Sequence, residues 1–155
     1  MSEAQAAALA VHHTVHIEAP RERVFELLTD PAQIPSWMPV TALEPRVGGR
    51  FEFIRDEWQA EGEVVAFDPP RLVAYTWDWR NQPMGVRTEV RWELEEEDGG
   101  TTVHLSHTGF PEGPHRENHD HGWRHYGERL KTVAEGGDPG PDVMEPTDVS
   151  ESVPR

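Results

Sequence analysis

Residues 86–135 read VRTEVRWELEEEDGGTTVHLSHTGFPEGPHRENHDHGWRHYGERLKTVAE, and two periodicities meet within them. Val86, Thr88, Val90, Trp92 and Leu94 alternate with Arg87, Glu89, Arg91 and Glu93, the period of two of a strand with one buried and one wet face. Asp98-Gly99-Gly100 supplies hairpin chemistry. Val103, Leu105 and His107 then take one side of a second strand, and His104, Ser106 and Thr108 the other. From Pro114 to Glu135 the spacing changes to three and four, with His115, His119, Trp123, Tyr126, Leu130 and Val133 on one face of a long helix.

Upstream the same alternation recurs. Val73, Tyr75, Trp77 and Trp79 alternate with Leu72, Ala74, Thr76 and Asp78 behind a turn at Asp68-Pro69-Pro70. Further strands are expected from about Trp58 to Phe67, and around Phe51 and Phe53 after the Gly48-Gly49 turn. Val11, Val15 and Ile17 open the pattern as a half-buried first strand. Pro20 suits a first helical position, Val24, Phe25, Leu27 and Leu28 give that helix an apolar face, and Asp30-Pro31 ends it. Ala32 to Pro39 reads as a second short helix broken by Pro35, with a proline-rich exit.

A strand, two short helices, five strands and a long helix predict an α+β fold. Its six-stranded, curved antiparallel sheet would wrap a C-terminal helix, with the helices segregated to one side. A strongly curved sheet cannot close on one helix along its whole length, so the gap between them is the natural place for a pocket. One domain is expected over 11–135, preceded by a flexible N-terminus over 1–10. Gly136-Gly137 stops the helix, and 136–155 reads as an acidic disordered tail carrying Asp138, Asp142, Glu145, Asp148 and Glu151 against Arg155.

Composition limits the partners. In 155 residues, 29 acidic side chains oppose 14 basic ones, a formal charge of -15, which disfavours nucleic acid and anionic membranes. No cysteine is present, so disulfides, thiolate metal sites and a cysteine nucleophile are excluded, and a reducing cytoplasm is the default location. Met1 to Ala10 lacks a basic flank, and His12 and His13 interrupt its apolar run before a signal-peptide core forms. No stretch reaches membrane-spanning length, and no insertion is expected.

The ordered features Ala19-Pro20, Val24-Phe25, Leu28-Thr29-Asp30, Trp37, Gly48-Gly49-Arg50-Phe51, Gly62-Glu63-Val64, Pro69-Pro70-Arg71-Leu72, Tyr75-Thr76-Trp77, Thr101-Thr102-Val103, His107-Thr108-Gly109-Phe110 and Gly122-Trp123 resemble the START-like (SRPBCC) superfamily. Within it they are most similar to the branch named after the activator of the ninety-kilodalton heat-shock protein ATPase. The resemblance covers Val11 to Glu135. It implies a helix-grip (START/Bet v-like) fold around a deep hydrophobic cavity, with members that bind lipids, hormones or polyketides and a minority that catalyse reactions there. The co-chaperone's separate N-terminal domain has no counterpart in these residues, which weighs against a chaperone partner. A homodimer is a further candidate assembly.

Each large aromatic buries about 150–250 Å², or roughly 4–6 kcal/mol of transfer free energy at ~25 cal/mol/Å², so Trp77, Trp92 and Trp123 are expected to face inward. Trp37, Phe53, Tyr75, Trp77, Trp92, His107, His119, Trp123 and Tyr126 are the candidate lining of a cavity for a small hydrophobic, aromatic guest, with hydroxyls offered by Tyr75 and Tyr126. Gly122 is expected to let the sheet or a ligand approach the helix backbone. His107 reads either as a core histidine bonded to a carbonyl or water, or as an acid–base group of a cavity enzyme, a role His119 shares. A third reading is a protein-interaction module with an acidic contact surface.

His115, Glu117, His119, Asp120, His121 and His125 invite a metal reading. However, His115 and His119 lie near one helix face and His121 with His125 on another, so no metal or other cofactor is expected. Acid–base work by paired carboxylates needs inward acids, of which the alternation offers few, Asp78 and Glu63 among them. Phosphate-loop and G-x-S-x-G nucleophile motifs are absent.

Overall fold

Apolar alternation builds seven strands in the computed structural model, which describes residues 9–143. They are β1 (Val11–Ile17), β2 (Val40–Leu43), β3 (Arg50–Arg55), β4 (Trp58–Asp68), β5 (Leu72–Trp79), β6 (Thr88–Glu97) and β7 (Gly100–Thr108). Helices α1 (Arg21–Thr29) and α2 (His115–Ala134) and a 3₁₀ turn at Ile34–Ser36 complete the chain. The sheet runs β1-β7-β6-β5-β4-β3-β2, antiparallel throughout. Short connections make β2 to β7 a meander, and β1 returns to pair with β7 from Val11 opposite His107 to Ile17 opposite Thr101.

Six strands were expected, and the seventh is β2. Its four residues were assigned to the proline-rich exit after Pro39, and they pair only with β3 at the sheet edge. An edge strand needs one neighbour, so so short a stretch carries little periodicity of its own. The expected second helix is shortened to the 3₁₀ turn, and Trp37 Nε1 ties that turn to α1 by donating to the Leu27 carbonyl at 2.7 Å. Pro20 stands one residue before α1, as its cap.

The sheet curves because β4 is irregular against β5, where the register shifts between Val64 and Ala66, a bulge that bends and twists the strand. Gly62 lies just before it. A Cβ at Gly62 would fall 1.8 Å from the Thr76 carbonyl oxygen, so only glycine permits this approach of β4 and β5. In β5, Leu72, Ala74 and Thr76 are buried along with Val73, Tyr75, Trp77 and Trp79.

On the concave face, α2 turns Asn118, His119, Trp123, Tyr126 and Leu130 into the core, and α1 adds Val24, Phe25, Leu27 and Leu28. This is the expected helix-grip arrangement. Residues 1–8 of the expected flexible N-terminus, and 144–155 of the expected tail, lie outside the described residues. Ala10 is buried, and the Leu9 carbonyl accepts from Phe110 N–H at 3.3 Å. Among the described residues no helix is long and apolar enough to cross a membrane.

Gly62→Ala drives a methyl group into backbone and is expected to cost at least about 2 kcal/mol, at the upper end of overpacking penalties. Urea unfolding monitored by tryptophan fluorescence measures it; an unchanged midpoint would contradict the close approach.

Candidate functional site

The concave face of the sheet is paved with aromatic rings. Phe51 stacks on Tyr75 with centroids 4.0 Å apart, Phe53 packs on Trp77 at 5.2 Å, and Trp77 meets Trp79 edge-on at 5.2 Å. From α2, Trp123 inserts between Trp77 and Trp92 at 5.5 and 5.7 Å. Tyr126 meets Phe53 edge-on at 6.0 Å. These are the separations at which aromatic pairs attract, so the rings fill the space that the curvature opens.

A void of about 30 Å³ remains between β3, β5 and α2, lined by Phe53, Trp77, Trp79, Asn118, His119, Gly122, Trp123 and Tyr126. That is the size of one water, an order of magnitude below pockets of roughly 300–1,000 Å³ that enclose drug-sized ligands. Among the described residues, the rings occupy the space between helix and sheet where a deep, ligand-sized cavity was expected. A second hollow of about 160 Å³ lies on the other side of Trp123, walled by Val15, Trp92, Val103, Leu105 and Gly127, with His13, Arg124 and Glu128 also lining it. Trp123 belongs to both walls.

Of the nine proposed lining residues, Phe53, Trp77, His119, Trp123 and Tyr126 border the small void, and Trp92 borders the second hollow. Trp37, Tyr75 and His107 are buried away from both. Trp79 and Asn118 were missed: Trp79 reads as one more core aromatic, and the step of three and four assigned to α2 skips Asn118. Gly122 does not receive the sheet, since a Cβ there would meet nothing within 4 Å; it fronts the void instead.

The polar groups in this wall fix their own protonation. An indole N–H can only donate. Trp123 Nε1 therefore donates to His107 Nδ1 at 2.9 Å, which leaves the His107 proton on Nε2, where it donates to Thr88 Oγ1 at 2.7 Å. Thr88 in turn donates to the Trp77 carbonyl. By the same logic Trp79 Nε1 donates to His119 Nε2 at 3.0 Å, and His119 Nδ1 donates to the His115 carbonyl at 2.7 Å. Both imidazoles are neutral, buried and fully bonded.

Burial holds His107 well below the ordinary imidazole range, and the nearby His119 adds to the effect. For His119, burial dominates and lowers it to about 4, against an opposing contribution from the His115 carbonyl. Neither ring presents a free lone pair to the void, which supports the core-histidine reading over the acid–base one.

Two buried polar atoms on residues of this wall have no hydrogen-bond partner, Trp77 Nε1 and Asn118 Oδ1. One is a donor and the other an acceptor, and a buried group left so costs ~1–3 kcal/mol. The tyrosine hydroxyls are engaged: Tyr75 accepts from Trp92 Nε1 at 3.1 Å, and Tyr126 donates to Asp142 at 2.7 Å.

The other histidines and acids of α2 disperse. Asp120 bonds His13 at 2.7 Å and His125 bonds Asp142 at 2.6 Å, and among the described residues no three such groups could hold a metal. Asp78 shapes a turn by accepting from Trp79 and Met84 N–H, and Glu63 is exposed.

Residues 18–135, spanning β2 to β7 and both helices, match the family described as activator of Hsp90 ATPase homolog 1-like protein. The chain belongs to that family. Solved structures agree with this fold. A protein from Mesorhizobium loti is 26% identical, with a TM-score of 0.73 over 80% of this chain and 95% of that one. The Aha1 dimer from Colwellia psychrerythraea is 22% identical, with a TM-score of 0.70 over 83% and 97%. DynU16, a putative protein of the dynemicin biosynthetic locus, is 24% identical, with a TM-score of 0.74 over 84% of this chain and 49% of its own. The comparison with curated proteins finds no match.

In this chain the neutral histidines make stability depend on pH. An unfolded histidine binds its proton below about pH 6.5, whereas native His119 stays neutral down to about 4. The stability present above pH 6.5 is therefore lost as pH falls toward 4, by about 3 kcal/mol for His119 at ~1.4 kcal/mol per unit. Urea midpoints at pH 7 and 4.5 should show this fall, and His119→Gln, which can still accept from Trp79, should flatten it. An equally steep fall in that variant would contradict the assignment.

Proposed function

We propose that this protein binds a small, flat, largely apolar molecule, aromatic in class, in the seam between α2 and the concave face of the sheet, as a carrier or sensor rather than as an enzyme. The observation that carries the reading is the wall of the void. It is aromatic and apolar, Gly122 leaves open space where a side chain would stand, and two of its residues carry buried polar atoms without a partner, Trp77 Nε1 and Asn118 Oδ1. A hydroxyl group on an aromatic ring is both donor and acceptor.

The guest needs more room than the void gives, and Trp123 supplies it. Its indole separates the void from the 160 Å³ hollow. Swinging it aside leaves His107 Nδ1 without its donor, which costs ~1–3 kcal/mol, and gives up the ring contacts with Trp77 and Trp92, about 0.5–1.5 kcal/mol each. Together these stay below the ~8 kcal/mol that a micromolar ligand gains on binding. Family membership adds support of a general kind: cavity binding occurs across the wider superfamily that the sequence resembles. Catalysis by His107 or His119 draws no support, since each ring nitrogen is already bonded.

Titration with 1-naphthol, read by tryptophan fluorescence, should quench the protein saturably at one equivalent. Asn118→Leu should weaken 1-naphthol roughly fivefold, the worth of one hydrogen bond of about 1 kcal/mol, and leave naphthalene unchanged. Linear, non-saturating quenching would overturn the reading, and equal losses for both compounds would remove Asn118 from it.

A further inference from the structure

The segment after α2, expected to be disordered from Gly136 onward, carries a specific set of contacts through residues 138–142. Asp142 accepts from His125 Nε2 at 2.6 Å and from the Tyr126 hydroxyl at 2.7 Å, and its other neighbour is Arg55 Nε at 3.6 Å. His125 and Tyr126 belong to α2, whereas Arg55 ends β3 two residues beyond Phe53. Asp142 therefore bridges helix and sheet beside the Phe53–Tyr126 contact, which forms one side of the small void. Arg129 holds the approach to it, with Nη1 donating to the carbonyls of Pro139, Gly140 and Pro141 at 3.3, 3.0 and 3.2 Å.

We infer that residues 138–142 form a strap that closes the mouth of the aromatic seam between β3 and α2, and that a guest enters when the strap lifts. The inference rests on the proposed small-molecule reading. Three features give the strap this role. First, α2 packs along β1 and α1, so the β3 side of the helix is the side bridged by a side chain from the tail. Second, the strap is held by polar contacts: Asp138, Gly140 and Pro141 are exposed, Pro139 and Asp142 are half-buried, and none of the five is buried in the core. A segment so held can open without unfolding the core. Third, the strap swings from a glycine pair, of which Gly136 has a φ of +92°, a conformation that glycine adopts without strain.

The strap also acts on the wall itself. Tyr126 lines the void with its ring and is anchored by its hydroxyl to Asp142. Lifting Asp142 releases that ring, so opening the mouth and loosening the wall are one event. Partial burial alone would raise the Asp142 carboxyl, but the bonds from His125 and Tyr126 and the Arg55 charge hold it below the usual carboxylate range, as expected of an ionised latch.

The test uses the full chain and the neutral fluorescent probe N-phenyl-1-naphthylamine. Wild type, Asp142→Ala and the near-isosteric Asp142→Asn are compared by stopped-flow association and equilibrium titration, with near-ultraviolet circular dichroism confirming the packed fold. The strap requires that both variants bind the probe at least tenfold faster than wild type and more tightly. Equal rates and affinities in all three proteins would overturn the strap and leave small-molecule binding standing. No binding in any of them would overturn both.

Discussion

The structure depends on two indole-to-imidazole hydrogen bonds, Trp123 to His107 and Trp79 to His119. They tie α2 to β7 and β5 across the concave face, and each sets the protonation of its histidine, since the tryptophan can only give a proton. Through Thr88 the first bond extends to the Trp77 carbonyl, so α2, β7, β6 and β5 share one polar chain inside an aromatic core. A buried polar network of this kind specifies one packing of the helix on the sheet only when every member is satisfied. Here the chain is satisfied only while His107 stays neutral.

The same arrangement explains why the core is closed without being rigidly sealed. Aromatic rings fill the curvature, leaving about 30 Å³, and Trp123, which divides this void from the neighbouring hollow, is held by one hydrogen bond and by its ring contacts with Trp77 and Trp92. A well-packed aliphatic core would resist opening in proportion to the cavity created. Here the ring at the divide is flat and stands next to Gly122, and a Cβ at Gly122 or Gly127 would meet nothing within 4 Å. The seam is thus closed by polar contacts at two places, the Trp123–His107 bond inside and the Asp142 bridge outside.

Much of this architecture was legible in the sequence. The alternation through residues 72–79 and 88–108 and the three-and-four step from His115 to Val133 give the sheet, the helix and the inward direction of Trp77, Trp92 and Trp123. What escaped was set by distant contacts. Val40–Leu43 becomes a strand only because β3 lies beside it, and Leu72, Ala74 and Thr76 are buried on the face of β5 opposite Tyr75 and Trp77, which alternation alone does not specify. No spacing rule pairs His107 with Trp123 or Trp79 with His119, 40 residues apart. The aromatic composition announced a cavity, but whether rings line a space or fill it is a question of volume. Asp142 sits in a stretch rich in proline and glycine that reads as disordered, and its partners come from β3 and α2.

The central claim is that the aromatic seam opens around Trp123 to accept a flat guest, and the six tryptophans report on it individually. Two-dimensional nitrogen–proton NMR resolves each indole N–H during titration with 1-naphthol. The account predicts that the Trp77 and Trp123 signals move and saturate together, while Trp37, bonded to the Leu27 carbonyl, and the partly exposed Trp58 stay in place. Stationary Trp77 and Trp123 signals at saturating 1-naphthol, or a shift confined to Trp58, would contradict it.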